Sequence, residues 1–270
     1  RVFKVIDTES FIRKEGSIDA SNIQGNIEFN QVRFSYIKNE EVLKGISFQV
    51  QKGQTVAIVG ATGAGKSTII NLINRFYEID NGVISVDNIS VKEYELASLR
   101  NQIAIVLQDV FLFSDSIYNN ITLKNSQITL EEVEEAAKKI GIHHFIMTLP
   151  GGYHYNVKER GVMLSSGQRQ LIAFLRAYVS KPRILILDEA TSSVDSHAEK
   201  LIQFATDTIT KGRTSIVIAH RLATIKKADK IIVMNKGVIV EEGTHKELLK
   251  KKDGYYKNLF DKQFSLELAS

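Results

Sequence analysis

Gly60-Ala-Thr-Gly-Ala-Gly-Lys66-Ser67 matches the pattern G-x-x-x-x-G-K-[S/T]. Residues of these types at this spacing could wrap a chain of phosphates. Gly60, Gly63 and Gly65 let the backbone curl so that its N–H groups point inward at phosphate oxygens. Lys66 is placed to reach the β- and γ-phosphates, and the Ser67 hydroxyl to ligate Mg²⁺. Ala61, Thr62, Ala64 and Thr68 complete the stretch that would line a nucleotide's phosphates. A helix opening near Lys66 would add about half a positive charge at its N-terminus. A second acidic element lies at Ile184-Leu-Ile-Leu-Asp188-Glu189. At the carboxyl end of a parallel strand, Asp188 would sit beside the phosphates and hold Mg²⁺. Glu189, one residue further, points elsewhere and could polarise an attacking water.

These groups need strands and helices to hold them. The apolar run Thr55–Val59 precedes the glycine loop and a helical pattern follows it, which is the strand–loop–helix context the motif requires. Ile184–Leu187, Thr214–Ala219 and Ile231–Met234 are short, nearly all-apolar runs, suited to central parallel strands covered on both faces. Ile27–Phe34 and Ile46–Val50 alternate instead, as half-buried strands of an antiparallel sheet do. Helical patterns between the buried runs give βαβ connectivity. Thr129-Leu-Glu-Glu132, Ser196-His-Ala-Glu199 and Thr244-His-Lys-Glu247 have capping-box form, and Gly141 is placed to close the helix opened by Thr129. The fold class expected is α/β: a phosphate-loop NTPase core with a mostly parallel sheet, an N-terminal antiparallel β subdomain and an inserted helical subdomain at about 109–180. Residues 1–25 read as a linker and 26–270 as the nucleotide-binding domain.

Composition narrows the class. The chain has 270 residues and 43% hydrophobic residues, enough for a sizeable core. A net charge of +4 fits an anionic ligand or a membrane surface. With no Cys, a disulfide framework and thiolate metal sites are excluded. No apolar run is long enough to span a bilayer, and no signal-peptide pattern occurs. The first residue is Arg1, which suggests a piece of a longer protein.

Leu164-Ser165-Ser166-Gly167-Gln168 precedes the helical pattern Arg169–Tyr178. This stretch resembles the LSGGQ motif of ATP-binding cassette proteins. With the phosphate loop and the Asp188-Glu189 strand, nearly the whole chain, from about Ile27 to Phe260, resembles the nucleotide-binding domain of an ABC transporter. The resemblance implies further roles. Tyr36 matches the aromatic residue that stacks on adenine, Gln108 the glutamine that touches Mg²⁺ or water and links core to helical lobe. Ser192–Asp195 matches the loop that crosses between subunits, and His220 the switch histidine that senses the γ-phosphate. Taken singly, Tyr36 could be a strand-end aromatic, Gln108 a surface amide and His220 a strand-end imidazole; their order around the nucleotide motifs favours the functional reading. Ser166 stands where the family pattern has Gly.

Glu159-Arg160-Gly161 resembles the ERG segment of exporter-type domains, where it meets transmembrane coupling helices, and Arg1–Asp7 resembles the tail after an exporter's last membrane helix. The expectation is the motor domain of an exporter on the cytoplasmic face of a membrane. It would bind ATP and Mg²⁺ and pair head-to-tail with a second ABC domain while attached to a transmembrane domain, with no nucleic acid partner. Lys66, Glu189 (general base) and His220 are the expected catalytic residues, and Ser67, Gln108 and Asp188 the metal ligands. Ser165, Ser166, Gly167, Gln168 and Asp195 would touch nucleotide across the dimer. The alternatives are an importer ATPase subunit or an ABC ATPase of chromosome or repair clamps. The latter have a very long coiled coil before the LSGGQ-like motif, whereas Gln108 and Leu164 are only about 55 residues apart, with no sustained heptads between them.

Overall fold

The computed structural model describes residues 16–189 and 196–264. Five strands form a parallel sheet because their residues are apolar on both faces. In β3 (Thr55–Gly60), Val56 and Ile58 face one side while Ala57 and Val59 face the other, and all four are buried. The same alternation runs through β7 (Ile184–Asp188), β8 (Thr214–Ile218) and β9 (Lys230–Asn235). With β6 (Ile103–Val106) the parallel order is β9-β3-β8-β7-β6, and β10 (Val238–Gly243) closes one edge antiparallel to β9. The expected central strands are all present; β6 and β10 complete the sheet.

One face of this sheet is covered by a second, antiparallel sheet. Its order is β2 (Glu41–Val50), β1 (Ile27–Ser35), β4 (Asn81–Val86) and β5 (Ile89–Ser90). Phe29 and Phe48 stack across β1 and β2 with centroids 4.6 Å apart. Between the sheets lies α1 (Lys66–Ile73), which buries Ile69, Ile70, Leu72 and Ile73. Ala20 and Ile23, in the stretch before β1, are also buried here, and Ile18 bridges to Tyr94. A short helix α2 (Leu96–Asn101) leads into β6.

The other face carries the helical lobe. After β6 come α3 (Ile117–Thr122), α4 (Leu130–Lys139), α5 (His143–Met147), two 3-10 turns at Gly152–His154 and Glu159–Gly161, and α6 (Ser166–Val179). Helix α6 packs on α3, α4 and α7 (Ser196–Thr210), tying the lobe to the core. The capping signals behave as read. Thr129 and Glu132 form a reciprocal capping box. Gly141, at φ +81°, ends the same helix in a Schellman motif: its N–H donates to Lys138 O and that of Ile142 to Ala137 O. Thr244 and Glu247 cap α9 (His245–Lys250) in the same way, following α8 (Leu222–Lys227) and preceding α10 (Tyr255–Phe264). The Ser196 side chain lies outside the described residues. No helix among the described residues is long and apolar enough to cross a membrane.

Candidate nucleotide-binding site

The carboxyl ends of β3, β7 and β8 are adjacent in the sheet, and each hands one chemical group to the same place. This is where open α/β sheets bind ligands. From β3 comes the glycine loop. Gly60 and Gly65 take φ of +152° and +100°. A Cβ on Gly60 would stand 2.3 Å from Met234 O, so that position demands glycine by packing as well as by dihedral, while Gly65 demands it by dihedral, a Cβ there meeting the tip of Leu43 at 2.7 Å. The Lys66 side chain is buried, and its Nζ donates to Gly60 O at 2.8 Å and Ala61 O at 3.0 Å. Burial draws its pKa below the usual lysine value, and the nearby Asp188 carboxylate opposes that. Ala61, Thr62, Gly63 and Ser67 are exposed along the loop and first helical turn, while Ala64 and Thr68 are buried beneath them.

Asp188 ends β7. Burial raises its pKa; Lys66 lowers it and Asp109 raises it. Asp109 follows Gln108 on the segment leaving β6, so that segment reaches the same electrostatic neighbourhood, with Gln108 exposed on it. His220 follows β8. Burial and the positive charge of Lys66 both hold its imidazole below the ordinary histidine range, keeping it neutral. Lys66, Asp188 and His220 thus share one electrostatic environment. Among the described residues no three His, Cys, Asp or Glu side chains form a metal cage. The available donors are hydroxyl, carboxylate and amide oxygens on Ser67, Asp188 and Gln108. That set suits Mg²⁺, which takes one or two carboxylates and leaves remaining positions to water and phosphate.

Glu189 is placed differently. It is 5% exposed, and burial raises its pKa against the pull of its hydrogen-bond donors. Its Oε2 accepts from the backbone N–H of His220 at 2.9 Å and of Arg221 at 3.0 Å, and Oε1 accepts from the Thr224 hydroxyl. Thr224 carried no sequence signal, since it sits in an ordinary helical run and meets Glu189 only through the pairing of β7 with β8.

Tyr36 stands at the end of β1, half exposed, with its ring edge-on to Phe34 and Tyr77 at 4.7 and 5.0 Å. Its hydroxyl donates to Thr68 Oγ1 at 3.3 Å and accepts from Asn71 Nδ2 at 3.0 Å, which pins the ring beside the helix that follows the phosphate loop. Thr68 and Asn71 gain a role here that spacing alone did not suggest for Asn71.

The LSSGQ stretch sits at the start of α6. Ser165 is the N-cap: its Oγ accepts from Gln168 N–H at 3.2 Å, and Gln168 Oε1 accepts from Ser165 N–H at 2.9 Å. Ser165 and Ser166 remain exposed while Gly167 is buried. Glu159-Arg160-Gly161 forms the 3-10 turn just before, with Glu159 and Arg160 exposed. Asp195 and the rest of Ser192–Asp195 lie outside the described residues. Between β6, α3 and α6 lies a cavity of about 760 Å³, lined by Leu107, Asp109, Phe111, Phe113, Leu123 and Arg176 among others. Phe111 and Phe113 are more than half exposed and pack edge-to-face at 5.1 Å.

Comparison with known proteins agrees with this geometry. Residues 43–192 match the family described as ABC transporter. The chain is 49% identical over 248 residues to YgaD of Bacillus subtilis (strain 168), which is named for multidrug export as an ATP-binding/permease protein, covering 92% of this chain and 43% of that one. It is 47% identical over 266 residues to YknV of the same organism, named as an ABC transporter ATP-binding protein, covering 98% and 44%. A solved bacterial Atm1-family ABC exporter with ATP bound superimposes with a TM-score of 0.87 at 39% identity, over 97% of this chain and 46% of that one. The chain therefore spans less than half the length of the relatives it matches. It belongs to the ABC transporter family and is an ATPase domain of that family.

Proposed function

We propose that this chain is the motor domain of an exporter on the cytoplasmic face of a membrane, driving transport by closing head-to-tail with a second ABC domain around two ATP molecules. The observation that carries the reading is the convergence of Lys66, Asp188 and His220 at the ends of three adjacent strands, where the charge of Lys66 acts on both of the others. Those groups face where a γ-phosphate would lie. Hydrolysis spreads negative charge over that group's equatorial oxygens, and positioned cations and N–H donors lower the barrier. Lys66 and the loop amides supply them here. Ser67 and Asp188, with Gln108, would hold Mg²⁺, which would neutralise phosphate charge. The neutral imidazole of His220 orients the γ-phosphate or the attacking water, and Glu189 accepts the proton from that water. Tyr36 stacks on the adenine.

The site so described covers ATP on one side. Ser165, Ser166 and Gly167 lie on the helical lobe, on a different element from the phosphate loop, and would act on the partner's ATP; Gln168 braces Ser165 through the capping box. Asp195 is proposed to bridge the same interface. The apolar cleft at Leu107, Phe111 and Phe113 would seat the transmembrane domain, with Glu159–Gly161 meeting it as well, and carry closure to it. Residues 1–25 would lead from that domain into the ATPase domain at 26–270.

The test is sedimentation of a Glu189→Gln chain with and without ATP and Mg²⁺. General-base assistance contributes about 10²–10⁴-fold, so this variant should bind ATP, barely turn over and accumulate as a dimer. A monomer that hydrolyses ATP at the wild-type rate refutes both the base assignment and the composite site.

A further inference from the structure

We propose that Thr224 is a positioning residue for hydrolysis: with the amides of His220 and Arg221 it parks the Glu189 carboxylate against the start of α8, from where the carboxylate must be released to meet water. The proposal rests on reading Glu189 as the general base.

Three observations carry it. First, both carboxylate oxygens are engaged. Oε2 takes two backbone N–H donors at 2.9 and 3.0 Å and Oε1 takes the Thr224 hydroxyl, with Glu189 and Thr224 each 5% exposed. A carboxylate oxygen offers about two lone-pair sites, so Oε2 is filled and Oε1 keeps one, on a carboxylate that is almost wholly buried. A general base needs a free lone pair within hydrogen-bond reach of its water. Second, the carboxylate does structural duty where it sits. Arg221 is the N-cap of α8, and Glu189, reaching over from the end of β7, accepts from Arg221 N–H, one of the donors that the helix start leaves without an intrahelical partner. Third, the Glu189 backbone is tied to β8 as well, its N–H donating to Ile218 O at 3.1 Å. The base is therefore held at the β8–α8 junction by its side chain and its backbone.

The hydroxyl's choice of partner is informative. Thr122, Thr206, Thr208 and Thr210 return their hydroxyls to the carbonyl four residues back in their own helices. Thr224, in the first turn of α8, gives its donor to Glu189, 35 residues away and just past the end of β7. Two of the three donors are backbone amides of the segment that carries His220. Any shift of His220 toward a γ-phosphate moves its own amide too and loosens the same clamp. Release of the base is thereby tied to nucleotide at the site.

The test compares Mg·ATP hydrolysis by the 270-residue chain with that of Thr224→Val, which removes the donor, Thr224→Ser, which keeps it, and Glu189→Gln. A hydrogen bond to a charged group is worth about ten- to a hundredfold in an equilibrium, and two amides remain, so Thr224→Val should raise kcat about three- to tenfold. KM for ATP should stay within about twofold, Thr224→Ser should behave as wild type, and Thr224→Val should add nothing to Glu189→Gln. A readout independent of turnover is the pair of His220 and Arg221 amide proton shifts in the nucleotide-free chain. They should move upfield in Glu189→Gln, partly in Thr224→Val, and upfield in the wild type on adding ATP and Mg²⁺. If Thr224→Val fails to fold, the nucleotide-induced shift in the wild type decides, and its absence overturns the parked state. A Thr224→Val chain with unchanged or lower kcat, beside an inactive Glu189→Gln chain, overturns parking alone. A fully active Glu189→Gln chain overturns the general-base reading and the parking with it.

Discussion

Ser165 holds two jobs that one pair of substitutions can separate. As N-cap of α6 its Oγ accepts from Gln168 N–H at 3.2 Å, reciprocated at 2.9 Å. As the exposed serine of LSSGQ it would face a γ-phosphate bound by the partner. Ser165→Ala removes the cap acceptor and should cost about 1 kcal/mol. In a domain of this size that lowers the melting temperature by about 2–4 °C. Ser165→Asp restores the acceptor, since Asp and Ser are about equal N-caps, and Gln168 at N3 is neutral and does not oppose it. Its new charge would face the phosphate. Two unit charges about 4 Å apart at an effective dielectric of 20 repel by about 4 kcal/mol, or roughly a thousandfold in association at each site. The expected pattern is therefore crossed. Measured by calorimetry without nucleotide, Ser165→Asp melts near wild type and Ser165→Ala below it. Measured by sedimentation with ATP and Mg²⁺ in the Glu189→Gln background, Ser165→Ala dimerises weakly and Ser165→Asp stays monomeric. A Ser165→Asp chain that dimerises like its parent would show that this serine does not meet phosphate, and one that melts below Ser165→Ala would show that the cap is not what stabilises α6.

Two further outcomes follow from the same site. Tyr36→Ala should raise the Kd for ATP about five- to hundredfold, because base–aromatic stacking is worth about 1–3 kcal/mol, while Tyr36→Trp should retain binding. Fluorescent-nucleotide titration measures this, and an unchanged Kd refutes the stacking role. His220 is held below its unfolded value of 6.5 by burial and by Lys66. Between the folded and unfolded values the unfolded chain binds the extra proton, so stability rises with pH across that window and is fully present above about 6.5. His245 is shifted in the same direction by burial and Lys226. Acidifying from pH 7 through 6 should destabilise the chain in urea titrations, and His220→Gln should flatten part of that slope; an unaltered slope would mean that His220 titrates as an exposed histidine.

How much of this was written in the chain depends on the range of the interaction concerned. Gly60, Gly65, Lys66 and Asp188 were legible because their roles follow from their own residue types and from strands that announce themselves: Val56, Ala57, Ile58 and Val59 are apolar on both faces, as a strand with packing on both sides must be. Thr129, Gly141 and Thr244 were legible because a cap is a contact among residues three to six apart. Strand β6 was not, since Ile103–Val106 is four residues long and becomes a strand only by lying beside β7, some 80 residues later. Glu189 shows the same limit at the site itself. Its residue type and place after Asp188 suggest a base, but what it touches is set by two backbone amides, which have no sequence signature, and by a threonine reached only through the β7–β8 register. Motifs name the groups that meet a ligand because those groups are chosen by type. The groups that hold a catalytic side chain back or let it go are chosen by position, so the resting state of an enzyme is the part that has to be read from its structure.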